Sequence, residues 1–190
     1  MENERSSEIN IGGKKYELLL TTKATKEIAK RYGDLENLGE QLLTSEDFAE
    51  AIDEIVWLIT LLANQSILIH NLKNTEDKKE LLTEEMVELL TYPSELGDYK
   101  ESISEALNKG TTRNVESEAD SKKTNSRVAD DELFTRLLYY GLAHLNLTQD
   151  EVWLMPFGLL LNLWECHRQY NGIAKPKREI TIDDVILFGV

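Results

Sequence analysis

The chain has 190 residues, and its 41% hydrophobic content is enough for a folded core, which excludes disorder over the full length. Its 35 acidic and 21 basic side chains give a net charge of −14, which disfavours a general nucleic-acid binder. A single cysteine excludes an internal disulfide, and with three histidines it leaves few ligands for zinc. The polar N-terminus does not resemble a signal peptide, so we expect a soluble protein of a reducing compartment.

The distribution of charge divides the chain into three segments. Residues 1–108 carry 23 acidic and 11 basic side chains, and residues 130–190 carry nine and five. Residues 109–129 instead carry five basic and three acidic side chains, with no aromatic residue. Such a composition cannot bury enough apolar surface to offset chain ordering. We therefore predict a mainly α protein with two modules, 1–108 and 130–190, joined by a flexible linker over 109–129.

The N-terminal module opens with a β-hairpin pattern. Gly12-Gly13 separates two short stretches in which apolar and polar residues alternate, the pattern of strands joined by a tight turn. An isolated two-stranded ribbon is only marginally stable in water. Its apolar face must therefore lie on helices or on another chain's sheet. We expect that face to consist of Ile9, Ile11, Tyr16 and Leu18.

Helical patterns follow the hairpin. Thr22 is placed to cap the first helix and Gly33 to end it, while Thr44–Asp47 forms a capping motif before the longest helical pattern. The predicted helices run from about Lys23 to Tyr32, Leu35 to Leu43, Ser45 to Leu72, Thr83 to Thr91 and Ser94 to Leu107. We expect the last two to cover the long, nearly all-apolar helix.

The long helix is a candidate for a membrane span, because residues 55–72 contain no formally charged side chain. We reject a membrane span because Asn64, Gln65 and His70 would enter hydrocarbon without partners, and the flanks lack basic or aromatic anchors.

The C-terminal module has three helical patterns. The first begins at Asp130-Asp131, the second at a capping box of Thr148 and Glu151, and the third runs from Phe157 to Tyr170. The tail over 180–188 fits either a short strand or a helical turn, and the pattern does not decide between them.

No motif in the chain indicates catalysis. Gly12-Gly13 lacks the spacing of a phosphate-binding loop, and neighbouring carboxylates diverge by about 100° on a helix. Cys166 and His167 diverge for the same reason, and metal binding by His144 and His167 would need a fortuitous third ligand. We predict no catalytic residue, no cofactor and no metal site.

Excess apolar surface is the more informative feature. A C-terminal module of 61 residues struggles to cover its apolar stripes alone, so the excess should face a partner unless helices and tail close over it. The same excess on the long helix is a second candidate, with burial in its own module as the alternative. The predicted partner-binding residues are Trp57, Leu61, Leu68, Trp153, Phe157, Leu160 and Trp164.

In its order of motifs the chain resembles the tail assembly chaperones of long-tailed bacteriophages and prophages. In the first module, the stretches 9–18, 21–24 and 31–33 are similar to the family's opening hairpin and first helix. In the second, the stretches 138–142, 145–148, 151–155 and 182–186 are similar to its C-terminal extension. Leu187 stands where the family's terminal motif has proline.

The resemblance implies a non-catalytic role in viral tail morphogenesis. The N-terminal module would coat the tape measure protein, and the extension would recruit major tail tube subunits. Ribosomal frameshifting near the linker would add the extension to a shorter form of the protein. It also implies a homo-oligomer or a mixed oligomer with the shorter form, action in the host bacterial cytoplasm and absence from the mature virion, with no nucleic-acid or membrane partner. The alternative function is an acidic regulatory protein of a mobile element, either a nucleic-acid mimic or an inhibitor of a host protein.

Overall fold

The computed structural model describes residues 4–33, 38, 48–117 and 130–177. Over these residues the protein is mainly helical with an N-terminal antiparallel hairpin, which confirms the predicted fold class. The strands are β1 (Ser6–Ile11) and β2 (Lys14–Leu19). The helices are α1 (Thr22–Tyr32), α2 (Phe48–Lys73), α3 (Glu84–Leu90), α4 (Leu96–Thr111), α5 (Asp130–His144), α6 (Gln149–Leu154) and α7 (Phe157–Tyr170), with a 3₁₀ turn at Pro93–Glu95 before α4. The predicted helix over 35–43 and the tail over 180–188 lie outside the described residues, apart from Leu38.

The hairpin has the predicted turn and the predicted apolar face. Gly12 and Gly13 both adopt positive φ, 56° and 78°, as a two-residue hairpin turn requires. The register pairs Ile11 with Lys14 and Ile9 with Tyr16, which places alternate side chains on one face. Ile9, Ile11 and Leu18 are buried there and Tyr16 is half-buried. That face packs on helices of the same chain.

Side chains of α4 hold strand β1 along its length. The Tyr99 hydroxyl donates to the Asn10 carbonyl at 3.1 Å and the Lys109 ammonium donates to the Ser6 carbonyl at 3.1 Å. In the other direction, the Ser7 hydroxyl donates to the Ser102 carbonyl at 2.6 Å. The first two bonds use backbone carbonyls that an exposed strand would offer to another chain.

Helix α2 forms the centre of the N-terminal core. Ile55, Leu58 and Leu62 are fully buried, and β2, α3 and α4 all contact the helix. Among the described residues, 51–73 form one stretch that is long and apolar enough to cross a membrane by length and composition alone, which is weak evidence because buried core helices pass the same test. Half of its apolar window is buried inside the protein.

The helices after residue 130 build a second core and share it with α1. Phe134, Leu137, Tyr140, Val152 and Leu160 pack together, and Ala29 of α1 joins them. Thr148 and Glu151 form the predicted capping box at the start of α6. The apolar excess expected from a C-terminal module standing alone is therefore partly covered by the N-terminal part of the same chain.

Backbone hydrogen bonds join the two parts of the chain. The Thr22 N–H donates to the Met155 carbonyl at 2.9 Å, and the Phe157 N–H donates to the Leu20 carbonyl at 3.1 Å. The N-cap of α1 is Thr21, and the predicted cap, Thr22, instead donates its hydroxyl to Met155 at 3.2 Å. Either threonine could cap α1, and the bond from the Thr22 hydroxyl to Met155 leaves the capping position to Thr21.

The predicted linker begins inside a helix. Helix α4 continues to Thr111, three residues past the predicted boundary at residue 108, and Ser117 is fully buried beside Pro176. The Asn162 amide oxygen accepts bonds from the N–H groups of Asn114 and Val115 at 3.0 and 3.2 Å. Residues 112–117 therefore lie on α7, whereas residues 118–129 fall outside the described part. The division into two modules stays a prediction.

Candidate partner-binding surfaces

The three predicted binding residues of the long helix form a half-buried stripe. Trp57, Leu61 and Leu68 lie near one face of α2, and each is partly exposed. The Trp57 ring meets Tyr32 edge to face with centroids 5.9 Å apart, and the Arg31 guanidinium lies 4.5 Å from the Trp57 centroid. The stripe is thus partly covered by α1, and what it leaves exposed is limited.

The four predicted residues of the C-terminal helices have two different environments. Leu160 is fully buried and Phe157 is 9% exposed, both within the core shared with α1. Neither is accessible to a partner in this structure, because Ala29 of α1 and residues of the C-terminal helices supply the cover that we expected from another protein. We therefore correct these two assignments.

The two C-terminal tryptophans remain half-exposed. Lys26 on α1 places its ammonium 5.3 Å from the Trp153 centroid, and Tyr140 meets Trp164 edge to face at 4.7 Å. Each ring therefore packs against a neighbour and stays partly exposed. Their assignment as anchoring residues at an interface stays a prediction.

An exposed apolar patch on α3 was missed by the sequence analysis. Leu89 is 79% exposed and Tyr92 is 65% exposed, and Met86 and Leu90 are also exposed. Helix α3 contacts α2 as predicted, but only its Val87 is buried there. The signal was available, because a helix of seven residues cannot bury apolar side chains on all sides. We call these four residues the α3 patch.

A large groove lies between the hairpin and the C-terminal helices. Its volume is about 1790 Å³. Its apolar lining comes from both parts of the chain: Leu19, Ile69, Leu72, Leu147, Leu154, Met155, Pro156 and Leu159. Its charged lining comprises Glu4, Arg5, Glu8, Glu17, Lys73, Glu105, Lys109 and Glu151. We call this the inter-segment groove. It could not be predicted from the sequence, because it needs contacts between residues more than a hundred positions apart.

Two histidines that the sequence left unrelated meet between α5 and α7. The rings of His144 and His167 have centroids 4.7 Å apart, and Tyr140 contacts both. Burial raises the pKa of Tyr140, whose hydroxyl donates to the Leu163 carbonyl at 2.7 Å.

Cys166 is exposed. Across the ranges that the structure describes, no group of three or more histidine, cysteine or acidic residues could hold a metal ion.

One buried carboxylate is fixed by ion pairing within α7. Glu165 is 1% exposed; its Oε2 lies 2.9 Å from an Arg168 nitrogen, and its Oε1 accepts from Gln169 at 3.2 Å. Because a buried charge without partners is strongly unfavourable, this pair is a structural element of the C-terminal core and not a free acid.

Comparison of the chain with protein-family models, with curated proteins and with solved structures found no match.

Proposed function

We propose that the protein is a non-catalytic tail assembly chaperone that coats a tape measure protein and recruits tail tube subunits. The observation that carries the proposal is the α3 patch on an acidic protein. A chaperone of this kind must offer apolar side chains to a client and still keep the complex in solution. Leu89 and Tyr92 supply exposed apolar contact area, and the net charge of −14 keeps complexes apart by repulsion.

The sequence resemblance supplies the identity of the clients. A tape measure protein is a long helix whose apolar seam lacks partners during assembly, and apolar patches on a carrier protein would cover it. The half-exposed rings of Trp153 and Trp164 offer a second contact area for tube subunits. Binding and release, with no bond made or broken, is the activity that these surfaces support.

Coexpression with a tape measure protein tests the proposal. We expect the soluble fraction of the client to rise with the wild-type chain and to fall back with the double variant Leu89→Ser, Tyr92→Ser. Tyr170→Ser is the matched control, because Tyr170 is 92% exposed but lies on α7, away from the α3 patch. No rise in client solubility with the wild-type chain would refute the proposed function.

A further inference from the structure

We infer that the inter-segment groove binds one basic amphipathic helix, and that it exists only where both parts of this chain are packed together. The inference deepens the proposed function by naming the class of client segment, and it rests on that function only for the identity of the protein that carries the segment. The α3 patch and the tryptophans play no part in it.

The size of the groove points to a polypeptide and not to a small molecule. Small-molecule pockets usually enclose about 300–1,000 Å³, whereas this groove has a volume of about 1790 Å³. A helix about 10 Å across has a cross-section of about 80 Å², so this volume corresponds to about 22 Å of helix, or about 15 residues. A segment of that length can carry apolar residues at i, i+3, i+4 and i+7, the spacing that helix-in-groove recognition uses.

The apolar lining is suited to one face of such a helix. Leu72 is 46% exposed at the C-terminal end of α2, and Ile69, one turn earlier, is half-exposed. Across the groove, Leu154 and Leu159 are also half-exposed. Partly exposed leucines on two sides of a groove can contact apolar residues spaced at three and four positions along a helix.

The charged lining favours a basic partner. It carries five carboxylates and three cationic side chains. Both signs of charge are partly engaged, since Lys109 pairs with Glu105 at 2.8 Å and Glu8 pairs with Lys15 at 2.7 Å. Arg5 donates to the Thr112 carbonyl at 2.7 Å, so the carboxylates of the lining keep a small excess. Glu151 is held ionised, because hydrogen bonds from Thr148 lower the pKa of its carboxyl. A helix with lysines beside its apolar face would meet this surface with complementary charge.

The groove depends on both segments for its shape. Leu72 and Glu105 come from the N-terminal part, whereas Leu154 and Leu159 come from the C-terminal part. The bond from the Phe157 N–H to the Leu20 carbonyl fixes the two sides relative to each other. A chain lacking the C-terminal part would lose one apolar wall, so the proposed shorter form would lack this binding site.

Fluorescence anisotropy on the full chain tests the inference with a labelled 15-residue helical peptide of leucine and lysine. A peptide with the same leucines but glutamate for lysine is the control. We expect the lysine peptide to bind at least about tenfold more tightly. Leu72→Ser and Leu159→Ser should each weaken its binding about tenfold. Leu81→Ser should change it by less than about twofold, because Leu81 has the same 46% exposure as Leu72 but lies outside the groove lining.

A charge variant provides a second matched pair. Glu105→Gln should weaken binding of the lysine peptide about threefold, whereas Glu101→Gln, one turn away on α4 and outside the groove lining, should leave it unchanged. Circular dichroism establishes that each variant is folded. Equal binding of both peptides, or equal effects of Leu72→Ser and Leu81→Ser, would overturn the inference. Because client solubility in coexpression is a separate measurement, failure of the groove and failure of the proposed function are distinguishable.

Discussion

Replacing Gly158 with alanine should destabilise the protein by obstructing the contact between α7 and the end of α4. A Cβ at Gly158 would lie 2.5 Å from the Thr112 carbonyl oxygen and 2.8 Å from that of Gly110, and real Cβ atoms essentially never lie closer than 3.0 Å. Both of these atoms belong to the backbone and cannot rotate away, unlike the Arg5 guanidinium nitrogen, which would lie at 2.9 Å. The first turn of α7 must move off the end of α4, and overpacking of this kind costs about 1–3 kcal/mol.

Gly97→Ala is the matched control for this substitution. Gly97 and Gly158 are each the second residue of a helix, α4 and α7 respectively, but a Cβ at Gly97 would meet no atom within 4 Å. Alanine should therefore be neutral or stabilising at Gly97 by up to about 1 kcal/mol. The two variants share any gain in helix propensity, so their difference in unfolding free energy isolates the obstruction at about 1–3 kcal/mol.

Urea denaturation followed by circular dichroism and by tryptophan fluorescence measures this difference. The tryptophans report on both parts of the chain, since Trp57 belongs to α2 and Trp153 and Trp164 belong to the C-terminal helices. If Gly158→Ala unfolds at the same urea concentration as Gly97→Ala, the packing of α7 on α4 described above is refuted.

Three further predictions concern charged and polar groups. Arg168→Met should lower the free energy of unfolding by about 2 kcal/mol, because it leaves the buried Glu165 without its cation. Arg136→Met removes an exposed ion pair within α5 and should lower it by less than about 0.5 kcal/mol in the same thermal unfolding assay. Hydrogen bonds from Thr148 lower the pKa of Glu151, so the contribution of its carboxylate to folding stability is present above pH 4.5 and is lost as the pH falls through the lowered value. Glu151→Gln should therefore reduce the fall of melting temperature at acid pH. Burial, with the nearby Glu95 carboxylate, raises the pKa of Tyr99 from 10.0 to about 12, so the stability due to its hydroxyl is complete below pH 10.0 and is lost as the pH rises toward 12. Tyr99→Phe should therefore weaken the fall of melting temperature at alkaline pH. An unchanged fall would contradict this assignment.

Local features of the fold could be predicted from the sequence. Gly12-Gly13 sets the hairpin register because only glycine adopts two successive positive φ angles without strain, and Thr148 with Glu151 starts α6 because each satisfies the other's backbone N–H. These signals lie within a few residues of the structure they specify. The choice between Thr21 and Thr22 as the cap of α1 could not be made locally, since Met155 takes the second hydroxyl.

The binding surfaces were less predictable for the same reason. Treating the C-terminal segment as free-standing assigned Phe157 and Leu160 to a partner, because no pattern in the sequence indicates that α1 covers them. The pairing of His144 with His167 and the inter-segment groove also depend on how α5 to α7 sit against distant elements. The α3 patch is different, since a seven-residue helix with several large apolar side chains already indicates exposure.

The hydrogen bonds that Leu20 and Thr22 make with Phe157 and Met155 can form only late in synthesis. A nascent chain emerges from the ribosome N-terminus first, so the hairpin, α1 and α2 leave the exit tunnel long before their C-terminal counterparts are translated. During that interval Ala29 and the carbonyl of Leu20 face water or a ribosome-bound factor. The final docking step is therefore late in translation, and a stalled ribosome would display a surface that the finished protein hides.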